Sequence, residues 1–233
     1  YSLKQQSLSM AKDLSAATKT VTDAVTIYAN ENESVSSMLN KAQLTVLLSA
    51  ASGMSSSSSA DAIQGILNQF NLSEDQAMHV ADTVEKLSSE IALDFSKGCD
   101  TISQSIATSG SVVNEAGMSF EKYAALVSTT AEKTRVSGSQ IGNAFKTIFS
   151  RISRSKDGLT TDAEMSDAEA ALKSVGVSVR GADGDLRDIS DTLDNLNEVW
   201  GTLNHSQRSY VAEMAAGVRQ KNIFEAAMDS YNK

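Results

Sequence analysis

The sequence predicts an all-α protein made of consecutive helical hairpins, and three observations carry that prediction. Proline is absent from all 233 residues, aromatics are only 5%, and apolar residues recur three and four apart, not in the β-branched alternation of strands. With 41% of its residues apolar, the chain can bury a real core.

The elements follow from spacing and caps. Met10, Leu14, Ala17, Val21, Ala24 and Tyr28 are spaced by four and three, which predicts one helical seam. A second helix is expected from Ser34 toward Ser52, with Val35, Leu39, Ala42, Val46 and Ser49 on one face and Gly53 as a left-handed stop. The serines 55–59 read as a turn and helix cap, because Ile63, Ile66, Leu67 and Phe70 follow at once. Ser73 and Gln76 fit a capping box ahead of the stripe Ala77, Val80, Val84, Leu87 and Ile91.

Further on, Ser119 caps a helix bearing Tyr123, Leu126, Val127 and Thr130, and after a break at Gly138 another helix carries Ile141, Phe145, Ile148 and Ile152. These two should pack as a hairpin. Gly53-Met54-Ser55 and Gly117-Met118-Ser119 occupy equivalent places between patterned helices, the mark of a duplicated helix-turn-helix unit. Val177 and Val179 alternate before Gly181-Ala182-Asp183-Gly184, so a short β-hairpin is expected near 177–189. Ser190 then caps a helix with Leu193, Leu196, Val199 and Trp200. Ser206 caps the last helix, with Tyr210, Met214 and Val218 on its apolar face. The grouping is an N-terminal hairpin region (1–72), a central region (73–156) and a C-terminal region with the short hairpin (157–233). Tyr1 in place of an initiator methionine leads to the expectation of an excised or processed piece of a longer polypeptide.

Charge and chemistry narrow the function. The 29 acidic against 20 basic residues give a net charge of -9, which weighs against wholesale nucleic-acid binding. Cys99 is alone, His79 and His205 are far apart in sequence, and the apolar runs are short, so no internal disulfide, zinc site, cofactor or membrane span is expected. No Gly-x-Ser-x-Gly elbow follows a strand, which removes the usual hydrolase signature. Asp183 and Asp185 flank Gly184 without the glutamate a calcium loop needs, and read as a plain turn. Trp200, at the end of an apolar stripe, reads as a core anchor.

One charge feature stands out. Lys133, Arg135, Lys146, Arg151, Arg154 and Lys156 form a basic island without an acid, a candidate patch for DNA or a tube wall. The stretch 157–198 reverses the balance with Lys173, Arg180 and Arg187 against many acids, and pairing of island with stretch is the favoured reading.

The segment from Asn114 to Glu121 and the run Ser137-Gly138-Ser139-Gln140-Ile141-Gly142-Asn143-Ala144-Phe145-Lys146-Thr147-Ile148-Phe149-Ser150-Arg151 resemble the core of phage tail tape measure proteins. Gly176, Gly184, Arg187, Trp200, Gly217 and Arg219 sit in strings that follow in that family's order, and with Gly117, Gly142 and Arg151 they are the motif-matching positions. Tyr28-Ala29-Asn30-Glu31 and Ala81-Asp82-Thr83-Val84 extend the resemblance upstream. It implies a structural protein of the virion tail, phage- or prophage-encoded and assembled in the host cytoplasm. Such a protein would lie in the growing tail tube, limit its length and leave at DNA ejection. The implied partners are tail tube and tail-tip proteins, tail assembly chaperones and further copies of itself. No catalytic, cofactor or metal residue is implied. Two other readings stay open: a helical adaptor module of a bacterial signalling protein, which long heptads would favour, and a non-catalytic region of a tail-associated lytic enzyme. Gly53, Gly98, Gly110, Gly117, Gly138 and Gly176 speak against an unbroken rod.

Overall fold

The computed structural model describes residues 3–14, 16, 18–29, 34–153 and 166–231. Among them are twelve α-helices: α1 (Leu3–Asp13), α2 (Thr18–Tyr28), α3 (Val35–Ser52), α4 (Ser56–Gln69), α5 (Ala77–Glu90), α6 (Phe95–Glu115), α7 (Phe120–Thr134), α8 (Gly138–Ile152), α9 (Asp167–Ser174), α10 (Ile189–Trp200), α11 (His205–Ala216) and α12 (Lys221–Asp229). A 3-10 turn, Glu74–Gln76, leads into α5. The helices gather into two units, Tyr1–Ala107 and Thr108–Lys233. No described helix is long and apolar enough to cross a membrane.

In the first unit the predicted single seam is two helices. Ala16 N–H reaches back to the Ala11 carbonyl at 2.9 Å, a six-residue closure that ends α1, and α2 begins at Thr18. Ala17 lies outside the described residues. The seam residues still share one core, because α1 folds against α2: Ala11, Val21, Ala24, Val25 and Tyr28 cluster with Met38, Ala42, Val46 and Ala60. α3 packs on α1, α2, α4 and α5 and is buried on most sides, as a central helix must be. Val35, assigned to its buried face from the sequence, is exposed instead.

Lys41 is the anomaly of this core. Only 1% of it is exposed, yet its Nζ donates to Gln64 Oε1 at 3.0 Å, lies 3.8 Å from Glu74 Oε1 and sits 5.2 Å from the centre of the Tyr28 ring. Tyr28 and Thr45 exchange a hydroxyl hydrogen bond of 2.8 Å beside it. A buried ammonium survives only with such partners.

The α5 stripe is buried at Ala77, Val80 and Val84, but the helix stops at Glu90. Ile91 is extended (ψ 149°) and half-buried, and Ser88 takes the last inward position. Gly98 and Gly110 do not interrupt the chain, since both lie within the 21 residues of α6. At Gly98 a Cβ would stand 3.0 Å from Ser88 Cβ, so the glycine lets α6 approach the end of α5.

In the second unit α7 and α8 pack as the expected hairpin, locked by edge contacts of Tyr123 with Phe145 (5.6 Å) and Phe149 (6.3 Å). The break between them is not Gly138, which is buried in the first turn of α8. Arg135 takes the left-handed conformation (φ 60°), and Ser137 with Gln140 forms the capping box.

Among the described residues there is no strand, and the hairpin expected near 177–189 is corrected to a loop with one antiparallel bridge, Arg180 to Leu186. Val177 and Val179 do turn inward, but the returning arm, Asp185-Leu186-Arg187, is exposed throughout and has no face to bury, so no ladder grows.

Three further corrections concern the C-terminal helices. Asp188, not Ser190, precedes α10; Asn204, not Ser206, caps α11; and α12 follows where none was expected. α11 buries Val211, Ala212, Ala215 and Ala216, whereas Tyr210 and Val218 face solvent. Small residues gave the weaker apolar signal, but they admit α8, α9 and α12 at close range.

These placements are checked by two substitutions in α5 and at its end. Val84→Asp, at a fully buried site, should cost roughly 3 kcal/mol or more, while Ile91→Asp should cost well under half of that; thermal melting of both variants tests the ranking. Equal losses would return Ile91 to the buried stripe.

Candidate functional site

Several of the positions singled out by motif lie at three joints of the second unit. At the first, Gly117 ends α6 with φ +81°, and a Cβ there would stand 2.1 Å from Asp188 Oδ1. Ile189 N–H donates to the Ala116 carbonyl at 2.7 Å and Ser190 Oγ to the Gly117 carbonyl at 3.1 Å, so the start of α10 docks on the α6–α7 turn. Glycine is required here twice over, by conformation and by space.

At the second joint Arg151, on α8, donates from Nη1 to the Met214 carbonyl at 3.2 Å, near the C-terminal end of α11 where the last carbonyls lack helical partners. Its guanidinium also occupies the space beside Gly217 (φ +75°), 3.3 Å from where a Cβ would stand. Gly142 is buried on the same helix, and Arg219 is exposed in the turn after Gly217.

At the third, buried Trp200 donates from Nε1 to Asp229 Oδ1 at 2.8 Å and meets Phe224 edge-on at 6.1 Å. Lys133 Nζ lies 3.0 Å from Asp229 Oδ2, and Arg208 lies over the Trp200 ring with Nη1 4.0 Å from Asp229 Oδ1. One carboxylate thus ties α7, α10, α11 and α12. Partial burial pushes the Asp229 carboxyl up, but the Trp200 and Lys133 hydrogen bonds and the two cations outweigh it, leaving the group below its ordinary value. A cleft of about 630 Å³ opens here, lined by residues including Asn197, Arg208 and Tyr231. Burial and then Asp194, which accepts from the Tyr231 hydroxyl at 2.9 Å, push that phenol well up.

The remaining motif positions serve turns. Gly176 (φ +87°) and Gly184 (φ +91°) have open space around them, and Arg187 Nε donates to the Arg180 carbonyl at 3.0 Å.

Among its described residues, the basic island does not come together as one patch. Lys133 is drawn to Asp229 and Arg135 caps α7, while Lys146 and Arg151 share a separate cleft on α8; Arg154 and Lys156 lie outside the described residues. Asp229 lies beyond the acidic stretch 157–198, whose Glu169 and Asp194 pair instead with Arg180 (2.8 Å) and Lys122 (2.6 Å). His79 and His205 are exposed, and among the described residues no cluster could hold a metal ion. Sequence reasoning missed Asp229 and Arg208; Asp229 stands 96 positions from Lys133 and 29 from Trp200, beyond any local pattern.

Residues 4–217 match the phage-related minor tail protein family. The chain belongs to that family. Within it, the chain is similar to the probable tape measure protein of Escherichia phage P2, at 24% identity over 83% of this chain and 22% of that protein. It is also similar to the tape measure protein of Pneumococcus phage Dp-1, at 21% identity over 89% of this chain and 17% of that protein. The chain therefore spans about a fifth of the length of these relatives. No solved structure matches it. The resemblance read from residues 114–222 of this minor tail protein thus holds over most of the chain.

Two measurements test the joints. Gly117→Ala should destabilise the second unit by about 2 kcal/mol or more, and Gly176→Ala, with φ strain but open space, by about 1 kcal/mol; denaturant unfolding ranks them. For Asp229 the folded pKa is depressed, so its contribution is present above the unfolded carboxylate value near 4 and is lost as pH falls through the folded value. The melting-temperature gap between wild type and Asp229→Asn should be full at pH 7 and close as pH falls through the depressed folded value. A gap constant across that range would remove Asp229 from the ion-pair role.

Proposed function

We propose that this chain is a segment of a tape measure protein, a structural component of the phage tail that sets tube length during assembly and leaves the tail at DNA ejection. The observation that supports this best is similarity across most of the chain to two proteins so named, from different phages. Its partners in this reading are tail tube and tail-tip proteins and assembly chaperones, its location is the virion tail, and no catalytic step falls to these residues.

The physical logic is that of reach. A helix advances about 1.5 Å per residue, so a chain laid along a tube is a ruler whose length scales with residue number and not with any one side chain. As one continuous helix this segment would reach about 350 Å. In this structure it is instead folded back at Gly53, Gly117 and Arg135 into helical units. The segment in this form adds far less than its helical length.

Graded in-frame deletions of the parent protein, read by electron microscopy of tails, test this. Deletions in extended helical regions should shorten tails by about 1.5 Å per residue removed, and deletions within this segment by much less. Tails of unaltered length after large deletions throughout the parent would sink the assignment.

A further inference from the structure

Two exposed surfaces of the second unit carry opposite charge. One is a cleft of about 670 Å³ lined by Asn143, Lys146, Thr147, Ser150, Arg151 and Gln220, with no carboxylate in its lining. Arg219, next to Gln220 in the chain, is exposed. Arg151 uses one nitrogen on the Met214 carbonyl while the side chain stays exposed, and among the described residues no ion pair holds Lys146 or Arg219.

The other surface is acidic apart from Arg187. Asp183 and Asp185 stand out on the loop before α10, and Asp191 and Glu198 on the outer face of α10, all exposed. Asp191 and Glu198 are seven residues apart, two turns on one face, about 10 Å along the axis. Among the described residues no ion pair engages Asp191 or Glu198, and none joins this ridge to the cleft.

We propose that the α8 cleft docks the acidic α10 ridge of a second copy of this chain, head to tail. The cleft supplies cations and hydrogen-bond donors in a concave space, and the ridge supplies exposed carboxylates on one face of a helix. The cleft's lining holds two cations, Lys146 and Arg151. An extended polyanion would also meet the ridge, on a chain carrying 29 acids against 20 bases. The two patches differ, so the contact is heterologous and leaves one cleft and one ridge open at the ends, which builds rings or filaments where an isologous pair would stop at two. This contact is independent of the length-setting role.

The test uses the 233-residue chain, with Lys146→Glu/Arg219→Glu reversing the cleft and Asp191→Lys/Glu198→Lys reversing the ridge. Arg151 is left intact because it holds the α8–α11 joint. All four side chains are exposed, and circular dichroism checks that each variant keeps the wild-type helical spectrum. Sedimentation should show wild-type self-association that weakens roughly tenfold between low and high salt, and weakens by a similar factor in either double variant alone. Mixing the two double variants should restore it, since each again meets an opposite charge. A wild type that stays monomeric at low salt, or association indifferent to salt and to both reversals, would overturn the proposal. So would a short DNA duplex that binds wild type and is lost with the cleft reversal, which would give the cleft to phosphate.

Discussion

Every helix leaves its first amides without partners, and a chain that starts a dozen short helices must satisfy those groups repeatedly. Here short polar side chains do so in series. Ser34, Ser55, Ser119, Ser137, Ser166 and Asn204 each accept from the amide three residues on. At Ser137 and Asn204 a glutamine completes the capping box. Five of these six caps are serines, and the hairpins exist because each such turn can be closed without burying unpaired amides.

Given those turns, each unit solves its packing differently. The first relies on small and medium aliphatic residues around a nearly enclosed α3, and tolerates the Lys41 ammonium by surrounding it with Gln64, Glu74 and the Tyr28 ring. The second relies on aromatics and on joints where a glycine admits a polar group from another helix: Asp188 at Gly117 and Arg151 at Gly217. At the Asp229 joint one partly buried carboxylate gathers an indole N–H and two cations, which costs less than leaving any of them without a counterpart.

For a protein read as a ruler, this architecture has a mechanical consequence. Reach needs extended helix, whereas the joints of the second unit fold the chain back on itself. The groups that close two of them, a salt-linked carboxylate and an arginine on one carbonyl, are partly exposed, so opening them exchanges protein partners for water at modest cost. The aromatic contacts between α7 and α8 carry no such ready exchange and make that hairpin the more persistent piece.

Local rules were legible in the residues alone. The helical class, the α3 boundaries with Gly53 as its stop, the serine caps of α4 and α7 and the buried faces of α7 and α8 all depend on interactions within four or five positions, which spacing displays. What only the tertiary structure decided depends on who sits opposite. A perfect seam from Met10 to Tyr28 breaks because its halves bury better against each other than end to end. The 177–189 segment stays a loop because its second arm has no face to bury, and α11 turns its alanines inward and Tyr210 outward because its neighbours approach closely. The basic island disperses for the same reason: Lys133 finds Asp229, 96 positions away, and charge counted along a sequence carries no record of that distance closing in space.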